Sequence, residues 1–323
     1  MVEEILLNLY RIEVPLPRNP LKVLNSYVIK DDGKSLIIDT GMNREECLSV
    51  LSAGLKELAV DLAQTDIFVT HLHADHYGLV GTIATATSKV YLHRADAKIL
   101  QAEPGIWQDY AHFALINGFP ESELQKAIQS HPGVKYSVKG QVSFHSLREG
   151  DVIKIGGYSF KCIETPGHTP GHMCLYEPEK KLFISGDHIL GDITPNISLF
   201  SEGENPLKEY LRSLDKVYDF DVKLVLPGHR TAFTTFRERI RELKQHHEVR
   251  ANEVLSILRA DNHKDAFQIA SKMTWDMVGP WDLFPVTQKW FATGEALAHL
   301  KYLEGEGRLK REKSGQKVVF SLG

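Results

Sequence analysis

The chain has 323 residues, of which 42% are hydrophobic and 25% are charged, and its formal net charge at pH 7 is -4. This composition is typical of a globular protein in water, and the small negative charge excludes a general electrostatic attraction to nucleic acid or to anionic membranes. The length exceeds that of a usual single hydrophobic core, so we expect one large domain and one small one.

Two features of the sequence bear on where the protein works. The acidic start Met1-Val2-Glu3-Glu4-Ile5 lacks the pattern of a signal peptide, and no apolar run approaches the roughly 20 residues that span a bilayer. The cysteines lie far apart and form no C-x-x-C pair, which indicates a reducing compartment without disulfide bonds. We therefore predict a cytoplasmic enzyme with no membrane partner.

The first part of the chain predicts strands and a helix that lead to a histidine-rich motif. Residues 5–14 and 23–30 have the apolar pattern of strands, and residues 35–38 predict a buried strand that ends in Asp39. Residues 43–60 have the apolar spacing of a helix. Asp39 is either a turn former or a support for a metal site, and we favour the second role because carboxylates orient metal-binding histidines.

The motif H-x-H-x-D-H follows an apolar run at residues 67–70 and predicts metal ligands. Alternate side chains of a strand share a face, so His71 and His73 can point the same way. Asp75 and His76 can reach the same space from the following turn. Neutral imidazoles and carboxylates are natural ligands of zinc and related metals.

Three more predicted strands end in candidate ligands. The segment T-P-G-H-T-P-G-H contains His168, which directly follows a tight turn, and His172, which we expect to have a supporting role. The motifs S-G-D and P-G-H provide Asp187 and His229. Strand ends converge at one edge of an α/β sheet, so these side chains can join those of the first motif.

Seven candidate ligands are too many for one tetrahedral zinc ion and predict two metal ions with a bridging carboxylate. They are His71, His73, Asp75, His76, His168, Asp187 and His229. In such a site a metal-bound hydroxide attacks the substrate, which predicts hydrolysis of an ester, thioester, amide or phosphodiester. We expect two divalent metal ions, namely zinc, with iron or manganese as alternatives, and we assign catalytic roles to Asp75 and Asp187.

The order of these motifs resembles that of the metallo-β-lactamase superfamily over residues 5–235. The resemblance implies an α/β fold, specifically an αβ/βα sandwich with the site at one edge between two sheets. It also implies that one metal is held by His71, His73 and His168, the other by Asp75, His76 and His229, with Asp187 bridging them. β-Lactamases of this fold usually have cysteine at the position of Asp187, which argues against antibiotic hydrolysis. His73 and His76 argue against the di-iron redox members.

We expect residues 1–235 to form the catalytic domain and residues 236–323 to form a helical linker with a winged-helix-like α+β domain. Within the first of these, residues 94–140 predict a helical insertion rich in aromatic side chains. It would form either a small core of its own or a lid that shapes a substrate pocket, and the sequence leaves both open. In the second, His246 and His247 are expected on the solvated face of a long helix.

The last part of the chain predicts a helix at residues 293–306 and a hairpin that joins residues 308–312 to residues 316–320. Six basic and three acidic residues lie between positions 301 and 317, a local balance of +3. This segment either grips nucleic acid or serves as a packing or homodimerisation module.

Three functions fit these observations. The first is hydrolysis of a small-molecule thioester or lactone, favoured by the aromatic insertion and the acidic overall charge. The second is a metal-dependent nuclease that acts on single-stranded RNA or DNA and is guided by the C-terminal domain. The third is a binding module with a structural zinc, which seven ligands disfavour because structural zinc normally has four.

Overall fold

The candidate ligands lie after strands of two β-sheets in a computed structural model, which describes residues 2–102, 105–138 and 140–323. The chain divides into two units. The first contains Met1–Gln101, Pro132–Pro195 and Val217–Arg239, and the second contains Ala102–His131, Asn196–Lys216 and Ile240–Gly323. The division into residues 1–235 and 236–323 stays a prediction.

The first sheet has its strands in sequence order, from β1 to β7. The strands are β1 Val2–Leu6, β2 Leu9–Pro15, β3 Val23–Asp31, β4 Lys34–Ile38, β5 Thr65–Phe68, β6 Val90–Tyr91 and β7 Phe144–His145. Strands β1 to β4 pair antiparallel, and β4 to β7 pair parallel. The parallel pairing of β4 and β5 places Asp39 and the first histidine motif at the same edge of the sheet.

The second sheet has the order β12-β11-β10-β9-β8. Its strands are β8 Val152–Ile155, β9 Tyr158–Glu164, β10 Met173–Glu177, β11 Leu182–Gly186 and β12 Leu224–Pro227. Strands β8 to β11 pair antiparallel, whereas β11 and β12 pair parallel, with Gly186 opposite Pro227. The parallel pair therefore delivers Asp187 and His229 at one end of the sheet.

The helices occupy the connections between these strands and much of the C-terminal part. They are α1 Glu45–Glu57, α2 Ala74–Tyr77, α3 Val80–Ile83, α4 Arg94–Gln101, α5 Gly105–Ile116, α6 Glu121–Ser130, α7 Pro132–Lys135, α8 Pro206–Val217, α9 Phe236–Ala260, α10 Ala266–Ala270 and α11 Val286–Gly305. Short 3₁₀ helices lie at Leu62–Gln64 and Trp281–Leu283. None of the helices in the described residues has both the length and the apolar character needed to cross a bilayer.

The core of the first unit has two layers because successive side chains of a strand point to opposite faces of the sheet. Leu36 and Ile38 of β4 join a buried cluster that also contains Phe160 and Leu175 of the second sheet. Ile37 points the other way and packs in the cluster that contains the apolar side chains of α1. The predicted α/β fold with two packed sheets is confirmed.

The C-terminal part of the second unit contains α11 and an antiparallel hairpin. The hairpin strands are β13 Leu309–Ser314 and β14 Lys317–Leu322. A small C-terminal domain with a helix and a two-stranded sheet is therefore confirmed, while its winged-helix character stays a prediction. Aromatic side chains of the insertion, including Phe119, pack with Trp290 of α11 inside this unit. A role of the insertion as a lid stays a prediction.

Three local expectations were wrong. The run at residues 5–14 is two strands, because the chain turns at Asn8, whose φ is 61°. Helix α11 begins at Val286 rather than at residue 293, since tertiary packing overrides the low helix propensity of its β-branched and aromatic first turns. His247 is only 2% exposed and not solvated, because it faces His299 of α11.

Candidate metal centre

All seven predicted ligands come together in one buried or nearly buried cluster. Their ligand atoms form three groups, and within each group these atoms lie within 4.8 Å of one another. The groups are His71, His73 and His168; His71, His76 and Asp187; and Asp75, His76 and His229. Each predicted residue belongs to at least one group, and its role as a ligand stays a prediction.

The first group has the spacing of ligands that share one metal ion. His71 Nε2 and His73 Nδ1 are 3.1 Å apart. The ring of His168 lies 4.5 Å from that of His73 and 4.8 Å from that of His71, centroid to centroid. Tetrahedral zinc with Zn–N distances of about 2.05 Å places its nitrogen ligands roughly 3.3 Å apart, so these imidazoles fit such an ion.

Asp187 lies between the first group and the remaining ligands. Its Oδ2 is 3.6 Å from His168 Nε2 and 3.5 Å from His229 Nε2, and its Oδ1 is 3.5 Å from His76 Nε2. Asp75 Oδ2 is 3.4 Å from His229 Nε2. A carboxylate in this central position can contact ions on both sides.

Several atoms of this cluster are orphaned. Among the described residues, His76 Nε2, His229 Nε2 and Asp187 Oδ1 are buried and have no hydrogen-bond partner. Buried polar atoms are normally satisfied, so polar atoms without a partner that face one another need an explanation. Imidazole nitrogens and a carboxylate oxygen are the donor set of zinc and related divalent metals, and the cluster therefore fits metal ions.

Asp39 orients two of the histidines. Its Oδ2 accepts from His76 Nδ1 at 2.7 Å and from Thr70 Oγ1 at 2.8 Å, and its Oδ1 accepts from the Thr70 backbone N–H at 2.8 Å. Because the Thr70 hydroxyl donates to Asp39, it accepts from His71 Nδ1 at 2.9 Å. Both imidazoles thus carry the proton on Nδ1 and direct Nε2 into the cluster, as expected of metal ligands with a supporting carboxylate.

Backbone contacts hold the candidate ligands His229 and Asp187. His229 Nδ1 donates to the carbonyl of Val23 at 2.7 Å, which leaves Nε2 for the cluster. His172 is buried, and its Nε2 accepts from the backbone N–H of Asp187 at 3.1 Å while its Nδ1 lies 2.8 Å from Thr165 Oγ1. His172 therefore positions the chain at Asp187.

Electrostatics divide the cluster into two halves. Burial lowers the pKa of His73 to about 3, and the neighbouring His168 contributes to this shift. Burial also disfavours the charged form of His229, but Asp187 and Asp75 outweigh it and raise the pKa of His229 to about 10. Despite burial, His229 and His76 hold the pKa of the Asp187 carboxyl well below its usual range. The half of the cluster that contains Asp75 and Asp187 thus favours positive charge, whether protons or metal ions supply it.

Two glycines permit this close packing. A Cβ atom on Gly228 would lie 2.6 Å from Asp187 Oδ1, and one on Gly186 would lie 2.8 Å from His172 Nε2. Gly186 also has a φ of 48°, which L side chains rarely adopt. The S-G-D and P-G-H motifs therefore need glycine because Asp187 and His172 approach the backbone closely at these positions.

Sequence reasoning missed one buried residue beside the cluster. Asp96 of α4 is fully buried and accepts hydrogen bonds from the Leu72 backbone N–H at 2.9 Å, Thr169 Oγ1 at 2.7 Å and the Gly171 backbone N–H at 2.6 Å. Burial raises its pKa to about 6, although these donors favour the carboxylate. Its place shortly after β6, at another strand end, was the one signal in the sequence that pointed to it.

Comparison with known proteins gave consistent matches. A family model described as metallo-beta-lactamase superfamily matches residues 21–229, and one described as metallo-beta-lactamase-like, C-terminal domain matches residues 282–320. The crystal structure of a metallo-beta-lactamase family protein from Thermus thermophilus has a TM-score of 0.84 and 29% identity, over 99% of this chain and 100% of that one.

Two curated relatives carry functional names. A probable metallo-hydrolase of Bacillus subtilis (strain 168), YqjP, is 26% identical over 96% of this chain and 96% of its own. An atrochrysone carboxyl ACP thioesterase of Aspergillus fumigatus is 24% identical over 74% of this chain and 61% of its own length. The first match spans nearly all of both chains.

Proposed function

The chain belongs to the metallo-β-lactamase superfamily and is a metal-dependent hydrolase; we propose that it uses two divalent metal ions, zinc in particular, to hydrolyse a small-molecule thioester or lactone. The observation that carries the proposal is the position of Asp187 between two groups of ligand atoms, at 3.5 to 3.6 Å from the imidazoles on both sides.

The chain supplies donors for two ions without cancelling their charge. His71, His73 and His168 would hold one ion, and Asp75, His76 and His229 would hold the other, with Asp187 shared. Five neutral imidazoles and two carboxylates leave a net positive charge on two divalent ions. When bound, such ions lower the pKa of a water molecule and stabilise negative charge on a reacting carbonyl oxygen.

The protein's own residues keep this donor set in place. Asp39 and Thr70 hold His76 and His71 with Nε2 directed inward, and His172 holds the backbone of Asp187. The ligands are buried or nearly so, which limits the access of bulk water and strengthens electrostatic interactions with a substrate oxygen. We assign Asp75 and Asp187 to metal binding and charge balance, next to the reacting atoms.

The C-terminal charges favour a small substrate over nucleic acid. Basic residues of this part contact acidic or amide oxygens of the second unit. The contacts are Lys301 with Glu304 at 2.7 Å, Arg311 with Glu202 at 3.0 Å, Lys317 with Asp265 at 3.3 Å and Arg308 with Asn252 at 3.3 Å. Four of the six basic residues of this segment thus have partners within their own unit, which supports a packing role for the segment over phosphate binding.

The named thioesterase among the relatives supports a thioester as the substrate class, and a lactone has the same type of attacked carbonyl. The test is an assay of the purified full chain on a thioester, a lactone, a phosphodiester and single-stranded RNA, each at several salt concentrations. We expect turnover of the thioester or lactone that changes little with salt.

The same assay is applied to Asp187→Ala, a variant of the proposed site, which should remain folded by circular dichroism but lose turnover. RNA cleavage that weakens steeply as salt rises would replace this proposal with a nuclease. Wild-type turnover by Asp187→Ala would refute the assignment of the site.

A further inference from the structure

The three ligands of the first group come from two loops on different sheets. His71 and His73 follow β5 of the first sheet, whereas His168 lies in the turn between β9 and β10 of the second sheet. Their relative position therefore depends on what connects the two loops. One connection is a backbone hydrogen bond from Met173 N–H to the Thr70 carbonyl at 2.9 Å.

Asp96 makes a second, three-point connection. Its Oδ2 accepts from the N–H of Leu72, the residue between His71 and His73, and also from the hydroxyl of Thr169, the residue after His168. Its Oδ1 accepts from the N–H of Gly171 at 2.6 Å. A single carboxylate thus receives donors from both ligand-bearing loops.

Asp96 is enclosed by protein, and its carboxylate is in close contact with the loop that contains Gly171. Asp96 is fully buried, and a Cβ atom on Gly171 would lie 2.7 Å from Asp96 Oδ1. A buried carboxylate is costly unless it is hydrogen-bonded, and here Leu72 and Thr169 are next to proposed ligands, while Gly171 precedes the supporting residue His172.

We propose that Asp96 is a positioning residue that fixes the separation of His71 and His73 from His168, and so sets the affinity and geometry of the first metal position. The inference rests on the proposed metal site. It assigns Asp96 no contact with a metal or substrate, and it predicts that removal of the carboxylate loosens one ligand loop relative to the other.

The test uses Co²⁺ as the probe, bound to the metal-stripped full chain, with affinity measured by chelator competition and geometry by the visible absorption spectrum. In Asp96→Asn the side chain keeps nearly the same shape, but its NH₂ group replaces one accepting oxygen and faces a hydrogen-bond donor, so at least one hydrogen bond is lost. We expect Co²⁺ affinity at one of the two positions, the first, to fall 10- to 100-fold, with a changed spectrum, since groups that orient ligands typically have effects of this size.

Asp66→Asn is the matched control. Asp66 also accepts from a backbone N–H, that of Lys89 at 2.8 Å, and from a hydroxyl, that of Tyr91 at 3.3 Å, but it lies at the start of β5, away from the ligand loops. It should leave Co²⁺ affinity within twofold. Thr169→Val, which removes one donor only, should cause a smaller loss than Asp96→Asn.

Thermal unfolding of each variant separates positioning from folding. An Asp96→Asn protein with a lower melting temperature but wild-type Co²⁺ affinity and spectrum would overturn the inference, as would an equal loss in Asp66→Asn. A wild-type chain that binds no Co²⁺ would overturn both the inference and the proposed metal site, whereas normal wild-type binding with an unaffected Asp96→Asn overturns the inference alone.

Discussion

Replacement of Gly228 by alanine should disable the metal centre without unfolding the protein. The added methyl would lie 2.6 Å from Asp187 Oδ1 and 2.9 Å from His76 Cε1. Non-bonded atoms need about 3.4 Å or more, so the carboxylate must move by roughly 0.8 Å. A misplacement of this size costs on the order of 100-fold in rate, or about 2.7 kcal/mol of transition-state stabilisation.

The assay compares Gly228→Ala with Gly105→Ala. The position of Gly105 is open, with nothing within 4 Å of its ideal Cβ, so the control adds the same methyl without a clash. We expect kcat/KM on the thioester or lactone to fall roughly 100-fold in Gly228→Ala only, with metal affinity at least about tenfold weaker. A Gly228→Ala enzyme within twofold of wild type in both quantities would refute the reasoning.

Three further predictions concern separate parts of the molecule. Asp39→Asn weakens the partner that orients His76, so metal affinity by chelator competition should fall about 10- to 100-fold, and an unchanged affinity would count against this role. Asp265→Ala removes the N-cap that accepts from Gln268 N–H, and urea unfolding should show a loss of about 1–2 kcal/mol; no loss would show that the cap is dispensable. Burial holds the pKa of His299 at about 4, below its unfolded value, so the stability it contributes is present above about pH 6.5 and lost as pH falls toward 4. Between pH 7.5 and 5 the wild type should therefore lose about 2 kcal/mol more than His299→Gln in denaturant titrations, and parallel losses would contradict this origin.

The sequence was sufficient for the cluster of candidate ligands because these residues lie in or next to the segments that follow strands. The end of a strand has a defined place in a sheet. The apolar runs before His71, Asp187 and His229 therefore predicted both the strands and the meeting of these side chains at one site. The supporting role of Asp39 was accessible for the same reason. At these residues the local sequence pattern is enough to predict where the side chain lies in the fold.

The sequence was not sufficient where a residue's role depends on a distant partner. Asp96 precedes Thr169 by many positions, and nothing in its local pattern indicates that a turn of the other sheet donates to it. His247 lies in a charged helix that predicts a solvated side chain, yet it is buried against His299. Pairings of this kind exist only in the folded chain, and the early start of α11 at Val286 has the same cause.

The most direct test of the central proposal is a titration of metal-stripped protein with Zn²⁺, in which hydrolysis of the preferred thioester or lactone is measured at each metal equivalent. We expect activity to rise to a plateau at two equivalents per chain. A plateau at one equivalent would contradict the two-metal assignment, and no turnover at any loading would contradict the hydrolase itself.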